Sequence, residues 1–218
     1  MMKSAKKAII FDLDGVVLDT EPLYTNAEIR LFAEYNVTIP KEDWQIFRGC
    51  SEQNFFDLSM KRYEITEKKE VFIDKGRKYV REEFENNLSY MSGFHDLYKR
   101  ISPFYKIGLV TATPHHSLKW IRKHIRLDNY FKNILSGDDT KRNKPFPDPY
   151  LAMMKTLNVV PNNTLIIEDS IPGLQSAIAS GSNVIALTGS APRKDLSIAN
   201  KIVSHLDEIT IQMIEDLL

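Results

Sequence analysis

Short apolar runs that stop at acids or hydroxyls, spaced by helix-length segments, constrain this chain more than any other feature. Ala8-Ile9-Ile10-Phe11 reads as a short buried strand and stops at Asp12. After Gly93 the pattern repeats: strands are predicted over 105–111, 133–136, 164–168, 183–187 and 201–203, with helices over 94–101, 114–124, 149–157, 171–180 and 207–218. Apolar strands separated by helices fold as a parallel sheet covered on both faces, an α/β architecture. Right-handed crossovers put every strand's carboxyl end on one edge, the edge where open α/β sheets bind ligands.

Between about residues 21 and 88 no strand pattern is convincing and helical spacing prevails. Residues 21–35 read as a helix with Pro22 in its first turn and Leu23, Ala27, Leu31 and Tyr35 on one side. Residues 67–88 read as a long helix through Phe72, Tyr79, Val80, Phe84 and Leu88, and two shorter segments fall near 41–47 and 52–63. This helical block leaves the sheet just after its first strand, with connections expected near Val17–Asp19 and Tyr90–Gly93.

The strand ends carry the chemistry. Asp12 and Asp14 sit two apart, so they point the same way at strand spacing, and Gly15 lets the chain turn away sharply. Paired carboxylates at the end of a buried strand are costly unless a cation or substrate uses them; the plain alternative is a loop whose acids bond backbone N–H groups. Three later segments favour chemistry: Leu109-Val110-Thr111-Ala112-Thr113-Pro114, Lys144-Pro145-Phe146-Pro147-Asp148-Pro149-Tyr150, and Leu165-Ile166-Ile167-Glu168-Asp169-Ser170. Together they supply a carboxylate pair, a hydroxyl, a lysine and a second carboxylate pair, a set able to hold a divalent metal and a phosphoryl group.

In these residues the chain resembles the haloacid dehalogenase superfamily of aspartate-nucleophile phosphotransferases. Asp12-Leu13-Asp14-Gly15-Val16 looks like its first motif, Thr111 its second, Lys144 its third and Glu168-Asp169 its fourth, in order across essentially the whole chain. Asp19-Thr20-Glu21-Pro22-Leu23-Tyr24 and Lys144-Pro145-Phe146-Pro147-Asp148 resemble the branch containing β-phosphoglucomutase, phosphoglycolate phosphatase and small sugar-phosphate phosphatases. The resemblance implies a Rossmann-like parallel-sheet core of residues 1–18 and 91–218 and a movable helical cap of residues 19–90.

It also implies roles. Asp12 is the nucleophile that forms an aspartyl-phosphate and gives its other oxygen to the metal. Asp14 is the acid for the leaving alkoxide and then the base for water, with its backbone carbonyl a further metal ligand. Asp169 supplies the remaining carboxylate, and Glu168 either ligates the metal or supports the residues that do. An oxygen-only donor set suits Mg²⁺ and disfavours Zn²⁺. Thr111 and the Ala112 N–H bind a phosphoryl oxygen, the plain alternative for Thr111 being a helix-cap hydroxyl, and Lys144 neutralises nucleophile and phosphoryl group. Arg48-Gly49-Cys50-Ser51 resembles the cap's substrate loop, so Arg48 and Gly49 are candidates for substrate binding, with a surface turn as the alternative. Tyr24 either contacts substrate or packs.

Lys+Arg and Asp+Glu are both 29, so no net charge points to nucleic acid or an acidic membrane. Lys3, Lys6 and Lys7 ahead of apolar residues superficially suggest a secretory signal, but Asp12 and Asp14 interrupt the run and no small-residue cleavage site follows. No stretch reaches the roughly 20 apolar residues that span a membrane. The lone cysteine, Cys50, allows no internal disulfide. A cytoplasmic monomer acting on a small phosphorylated metabolite is the expectation. Phosphatase action is favoured over a β-phosphoglucomutase-type hexose-phosphate mutase, because the histidine that such mutases carry four residues after the Asp-Thr pair is replaced by Tyr24. A mutase also needs a cap lysine, for which Lys75 and Lys78 are the candidates. A non-catalytic sensor predicts eroded reactive residues, and a dehalogenase has no use for Asp14; both are disfavoured.

Overall fold

Four apolar residues make β1 (Ala8–Phe11), and every one of them is buried. Among the described residues four helices follow it, α1 (Glu21–Ala33), α2 (Trp44–Phe47), α3 (Glu52–Arg62) and α4 (Lys69–Asn87). The remainder alternates: α5 (Phe94–Ile101), β2 (Lys106–Val110), α6 (His115–His124), β3 (Ile134–Leu135), α7 (Asp148–Leu157), β4 (Thr164–Glu168), α8 (Ile171–Ala179), β5 (Asn183–Leu187), β6 (Lys201–Val203) and α9 (Ile211–Leu217). This computed structural model describes residues 6–47 and 52–218. By contacts the chain divides into two units, Met1–Asp19 with Ser89–Leu218, and Thr20–Leu88.

The first unit is a six-stranded sheet in the order β3-β2-β1-β4-β5-β6, with every pairing parallel. Ala8 and Ile10 join Val110, Ile166, Val184 and Ala186 in one core cluster, closed by Tyr150, Met153, Met154 and Leu157 of α7 and Leu174 and Ala177 of α8. Phe11 meets Phe94 and Phe131 edge-on, with ring centroids 5.9 Å apart in each pair. Each fully buried large apolar side chain contributes about 1.5–3 kcal/mol. That is why near-continuous apolar runs suffice to specify these strands.

The strand order turns at β1, which has β2 on one side and β4 on the other, and such a switch point opens a crevice at the carboxyl ends. Phe11 pairs with Leu109 and with Ile167, so Asp12 stands level with Val110 and Glu168. The Asp12 N–H extends the ladder by donating to the Ile167 carbonyl at 3.0 Å. The two segments that join the units run side by side: Leu18 and Tyr90 form an antiparallel bridge, and Asp19 N–H donates to Ser89 O at 3.1 Å.

The second unit is helical among its described residues. Leu31, Phe32, Ile39, Phe47, Phe55, Phe56, Ile65 and Phe72 form its core. Asp43 accepts hydrogen bonds from Arg62 Nε at 2.6 Å, Arg62 Nη2 at 2.5 Å and Tyr63 Oη at 2.7 Å, tying the loop before α2 to the end of α3.

Several element bounds differ from those expected. The first helix ends at Ala33, two residues before Tyr35, because Asn36 takes a left-handed conformation (φ 56°) and Val37 N–H returns to Phe32 O. Of the segment 41–47 only Trp44–Phe47 is helical. The carboxyl-terminal helix expected over 207–218 is broken: Leu206–Glu208 forms a 3₁₀ turn, Ile209 is fully buried, and the Thr210 hydroxyl caps α9 by accepting the Met213 N–H at 3.1 Å. Among the described residues no helix is long and apolar enough to cross a membrane.

Candidate active site

The crevice at the ends of β1, β2 and β4 gathers residues far apart in sequence. Asp12 follows β1 and is 6% exposed; Glu168, the last residue of β4, is fully buried, and Asp169 is 3% exposed. Lys144, from the loop before α7, inserts its ammonium between them, bonding Asp12 Oδ1 and donating to Glu168 Oε1 at 2.6 Å. Tyr150 of α7 donates its hydroxyl to the same Glu168 oxygen at 2.9 Å, and its ring lies 5.2 Å from the Lys144 nitrogen. The other Glu168 oxygen accepts from Asp169 N–H at 2.9 Å, Ser170 N–H at 3.0 Å and the Ser170 hydroxyl at 3.1 Å. With five donors on its carboxylate, Glu168 chiefly holds Lys144 against Asp12 and fixes the turn into α8.

Asp14 lies beyond the strand, where its Oδ2 accepts from the Thr113 hydroxyl at 2.8 Å. Thr111, at the end of β2, is 1% exposed, and its Oγ1 accepts the Thr113 N–H at 2.9 Å. The Thr111 hydroxyl therefore keeps its own proton to donate elsewhere. Ala112 next to it is exposed. Asp169 Oδ2 accepts from the Ser190 hydroxyl in the loop after β5.

Two glycines permit this crowding. Gly15 adopts φ +73°, and a Cβ there would overlap the Asp169 carboxylate. A Cβ at Gly173, in the first turn of α8, would overlap the Glu168 carboxylate.

Burial penalises the Asp12 carboxylate most, and although Lys144 opposes it, Glu168 and Asp14 add repulsion, so Asp12 is pushed up to about 8. Glu168 is also penalised by burial, but Lys144 and its hydrogen-bond donors outweigh that and lower it. Burial works against the Lys144 charge, yet Asp12 and Glu168 hold it well above the usual lysine value. Negative charge here exceeds what one ammonium balances. Asp12, Glu168 and Asp169 each offer a carboxylate oxygen, all within 4.8 Å of one another, and no other such group occurs among the described residues. A hard divalent cation such as Mg²⁺ fits a set made only of oxygens and carrying excess negative charge.

The structure thus brings Asp12, Asp14, Thr111, Lys144, Glu168 and Asp169 to one edge of the sheet. Tyr24 belongs to the helical unit, where its ring packs edge-on against Phe84 at 5.3 Å. Arg48 and Gly49, like Cys50, lie outside the described residues. Lys75, a candidate for a mutase's lysine, pairs with Glu34 at 2.8 Å and donates to Tyr35 Oη at 3.1 Å. His115 opens α6 as an exposed residue, 3.1 Å from Asp139.

Sequence reasoning passed over Thr113, Tyr150 and Ser190. Thr113 carried a signal, being the second hydroxyl of Thr111-Ala112-Thr113. Tyr150 reads as a core aromatic of a helix, and Ser190 as an ordinary loop serine.

Residues 9–187 match the haloacid dehalogenase-like hydrolases. A phosphorylated carbohydrates phosphatase of Thermotoga maritima is 31% identical over 176 residues, 80% of this chain and 82% of that protein. A 6-phosphogluconate phosphatase of Escherichia coli is 27% identical over 180 residues, 82% of this chain and 80% of that one. Among solved structures, a Thermotoga maritima protein provisionally assigned as a β-phosphoglucomutase superposes with a TM-score of 0.80 at 28% identity, covering 97% of this chain and all of its own. The matched span starts within β1 and ends with β5, so it takes in the whole crevice except Ser190, and the chain belongs to the haloacid dehalogenase-like hydrolases.

Proposed function

We propose that this protein is a Mg²⁺-dependent phosphatase that hydrolyses a small phosphorylated carbohydrate through an aspartyl-phosphate on Asp12. One observation carries the reading: Asp12, at the end of the central strand, is gripped through Oδ1 by Lys144 and faces a second acidic group, with Asp14 two residues on. The named activities of two relatives, on phosphorylated carbohydrates and on 6-phosphogluconate, support the substrate class.

Asp12 and Asp169 hold the metal, with Glu168 adding charge beside them. Mg²⁺ in that position supplies the positive charge that lets an anionic carboxylate meet an anionic phosphoryl group. Lys144 holds Asp12 Oδ1, leaving Oδ2 to attack phosphorus as the bond to the sugar oxygen breaks. Protonated Asp14 gives its proton to that leaving oxygen, and the Thr113 hydroxyl keeps the carboxyl oriented. Thr111 donates to a phosphoryl oxygen, beside the amino end of α6. Asp14, now a carboxylate, takes a proton from water as the water oxygen attacks phosphorus. The bond to Asp12 breaks, phosphate leaves, and both aspartates return to their starting states. The helical unit serves as the cap that selects the substrate and limits bulk water.

The test is inorganic phosphate release from hexose, pentose and sugar-acid phosphates, phosphoglycolate and nucleoside monophosphates, with and without Mg²⁺. Metal-dependent release from sugar or sugar-acid phosphates is the expected result, and release that ignores chelation sinks the reading. A hexose-phosphate mutase is the second reading, favoured by the provisional assignment of the structural neighbour. Tyr24 and the Lys75 pairing with Glu34 weigh against it. Conversion of β-glucose 1-phosphate to glucose 6-phosphate in the presence of the bisphosphate, without net phosphate release, would establish it instead.

A further inference from the structure

Ser190 stands outside the four motifs, yet it bonds directly to an acid of the crevice. It lies three residues beyond β5 and is 6% exposed. Its hydroxyl donates to Asp169 Oδ2. The backbone of Gly15 closes in from the other side: a Cβ there would overlap Asp169 Oδ2 and approach the Ser190 Oγ to 3.2 Å. The loops after β1, β4 and β5 therefore meet on one carboxylate. An aspartate side chain has two free torsions, and a donor on one oxygen fixes both, so the other oxygen is presented in one direction. Partners of this kind orient metal-binding carboxylates, and their loss weakens metal affinity.

We propose that Ser190 is a positioning residue for the metal, holding Asp169 in its cation-binding orientation. The inference rests on the metal site assigned above but not on the identity of the substrate. Removing the hydroxyl takes away one restraint on the Asp169 carboxylate, so the cation meets a less preorganised ligand while the sheet and its apolar core stay as they are.

Electron paramagnetic resonance titration with Mn²⁺ on the full chain tests this without any turnover. The S190A variant should bind Mn²⁺ about 10–100-fold more weakly than the wild type. The comparison variant is S180A, which removes a hydroxyl of similar burial at the far end of α8, where Ser180 donates to Ala177 O at 2.6 Å. S180A should lower the thermal midpoint and leave the Mn²⁺ affinity unchanged. Wild-type affinity in S190A overturns the proposal, as does an equal loss in S180A, which would make the effect general destabilisation. A wild-type chain that binds no Mn²⁺ overturns it together with the metal site. If S190A alone loses affinity but no phosphoester is hydrolysed, the Ser190 assignment stands and the phosphatase reading falls.

Discussion

In the α/β unit four ionisable groups with buried side chains, Asp12, Lys144, Glu168 and Asp169, share one crevice at the ends of the central strands. In the helical unit the heart is aromatic, with Phe32 edge-on to Phe55, Tyr63 and Phe72 at centroid distances of 6.2, 5.2 and 6.0 Å. Asp43 is buried there against Arg62, but other ion pairs of the unit lie towards the surface, where Arg30 meets Glu82 at 2.5 Å and Glu83 at 2.9 Å, and Arg77 meets Glu52 at 2.8 Å. Exposed pairs of this kind contribute about 0–1 kcal/mol each. One unit thus accepts an electrostatic cost at the candidate site, and the other is built chiefly on aromatic packing. The contrast extends to single carboxylates. Burial drives Asp12 upward, whereas hydrogen bonds from Arg62 and Tyr63 hold Asp43 below its usual value.

Three substitutions press on that contrast, the largest effect first. D12N should reduce phosphate release by more than about 10³-fold, since in the proposed reaction Asp12 forms the covalent bond to phosphorus. The same change removes a buried acid whose ionisation burial disfavours, so the metal-free protein should unfold at no lower temperature than the wild type at neutral pH; a large loss of stability would mean that Asp12 supports the fold. The sign follows from its pKa. With Asp12 at about 8 when folded against an ordinary 3.8, the wild type binds the proton more tightly when folded, so this group's contribution to stability declines as pH rises between those values. F72A empties a fully buried ring from the helical core and should cost about 3–5 kcal/mol in denaturant unfolding. A cost below about 1 kcal/mol would show that the aromatic cluster is not what stabilises that unit.

D43N gives the smallest effect, with the opposite pH signature to Asp12. A lowered folded pKa stabilises above the ordinary 3.8, and the benefit is lost as pH falls through the folded value. The variant should therefore melt below the wild type at pH 7, the gap closing only once the pH has fallen below 3.8. A gap that persists at strongly acidic pH would assign the loss to packing.

Legibility in the sequence tracked how local each signal was. The parallel α/β sheet was readable because its strands are unbroken apolar runs and its acids interrupt them at the ends. Asp12, Thr111 and Glu168 announced themselves by that interruption, and Lys144 by its place among prolines. The break before α9 was hidden, because a buried Ile209 fits a helical pattern as well as it fits a turn. Tyr150 and Ser190 were hidden for a related reason: their partners lie 18 and 21 residues away in sequence, on other elements. Even the link between Lys144 and Asp12 spans 132 residues, and was expected through resemblance to a family rather than through spacing.

What the sequence determined by itself was the alternation of apolar strand and helix and the identity of the groups at the strand ends, because hydrophobic periodicity and strand termination are properties of neighbouring residues. Only the tertiary structure decided which of those groups share a proton field. Strand order set Asp12 level with Glu168, the fold of α7 brought Tyr150 under Lys144, and the loop after β5 delivered Ser190 to Asp169. The physical reason is that electrostatic shifts and hydrogen bonds act over a few ångströms of space, and a chain's sequence order does not state those distances until the sheet has formed.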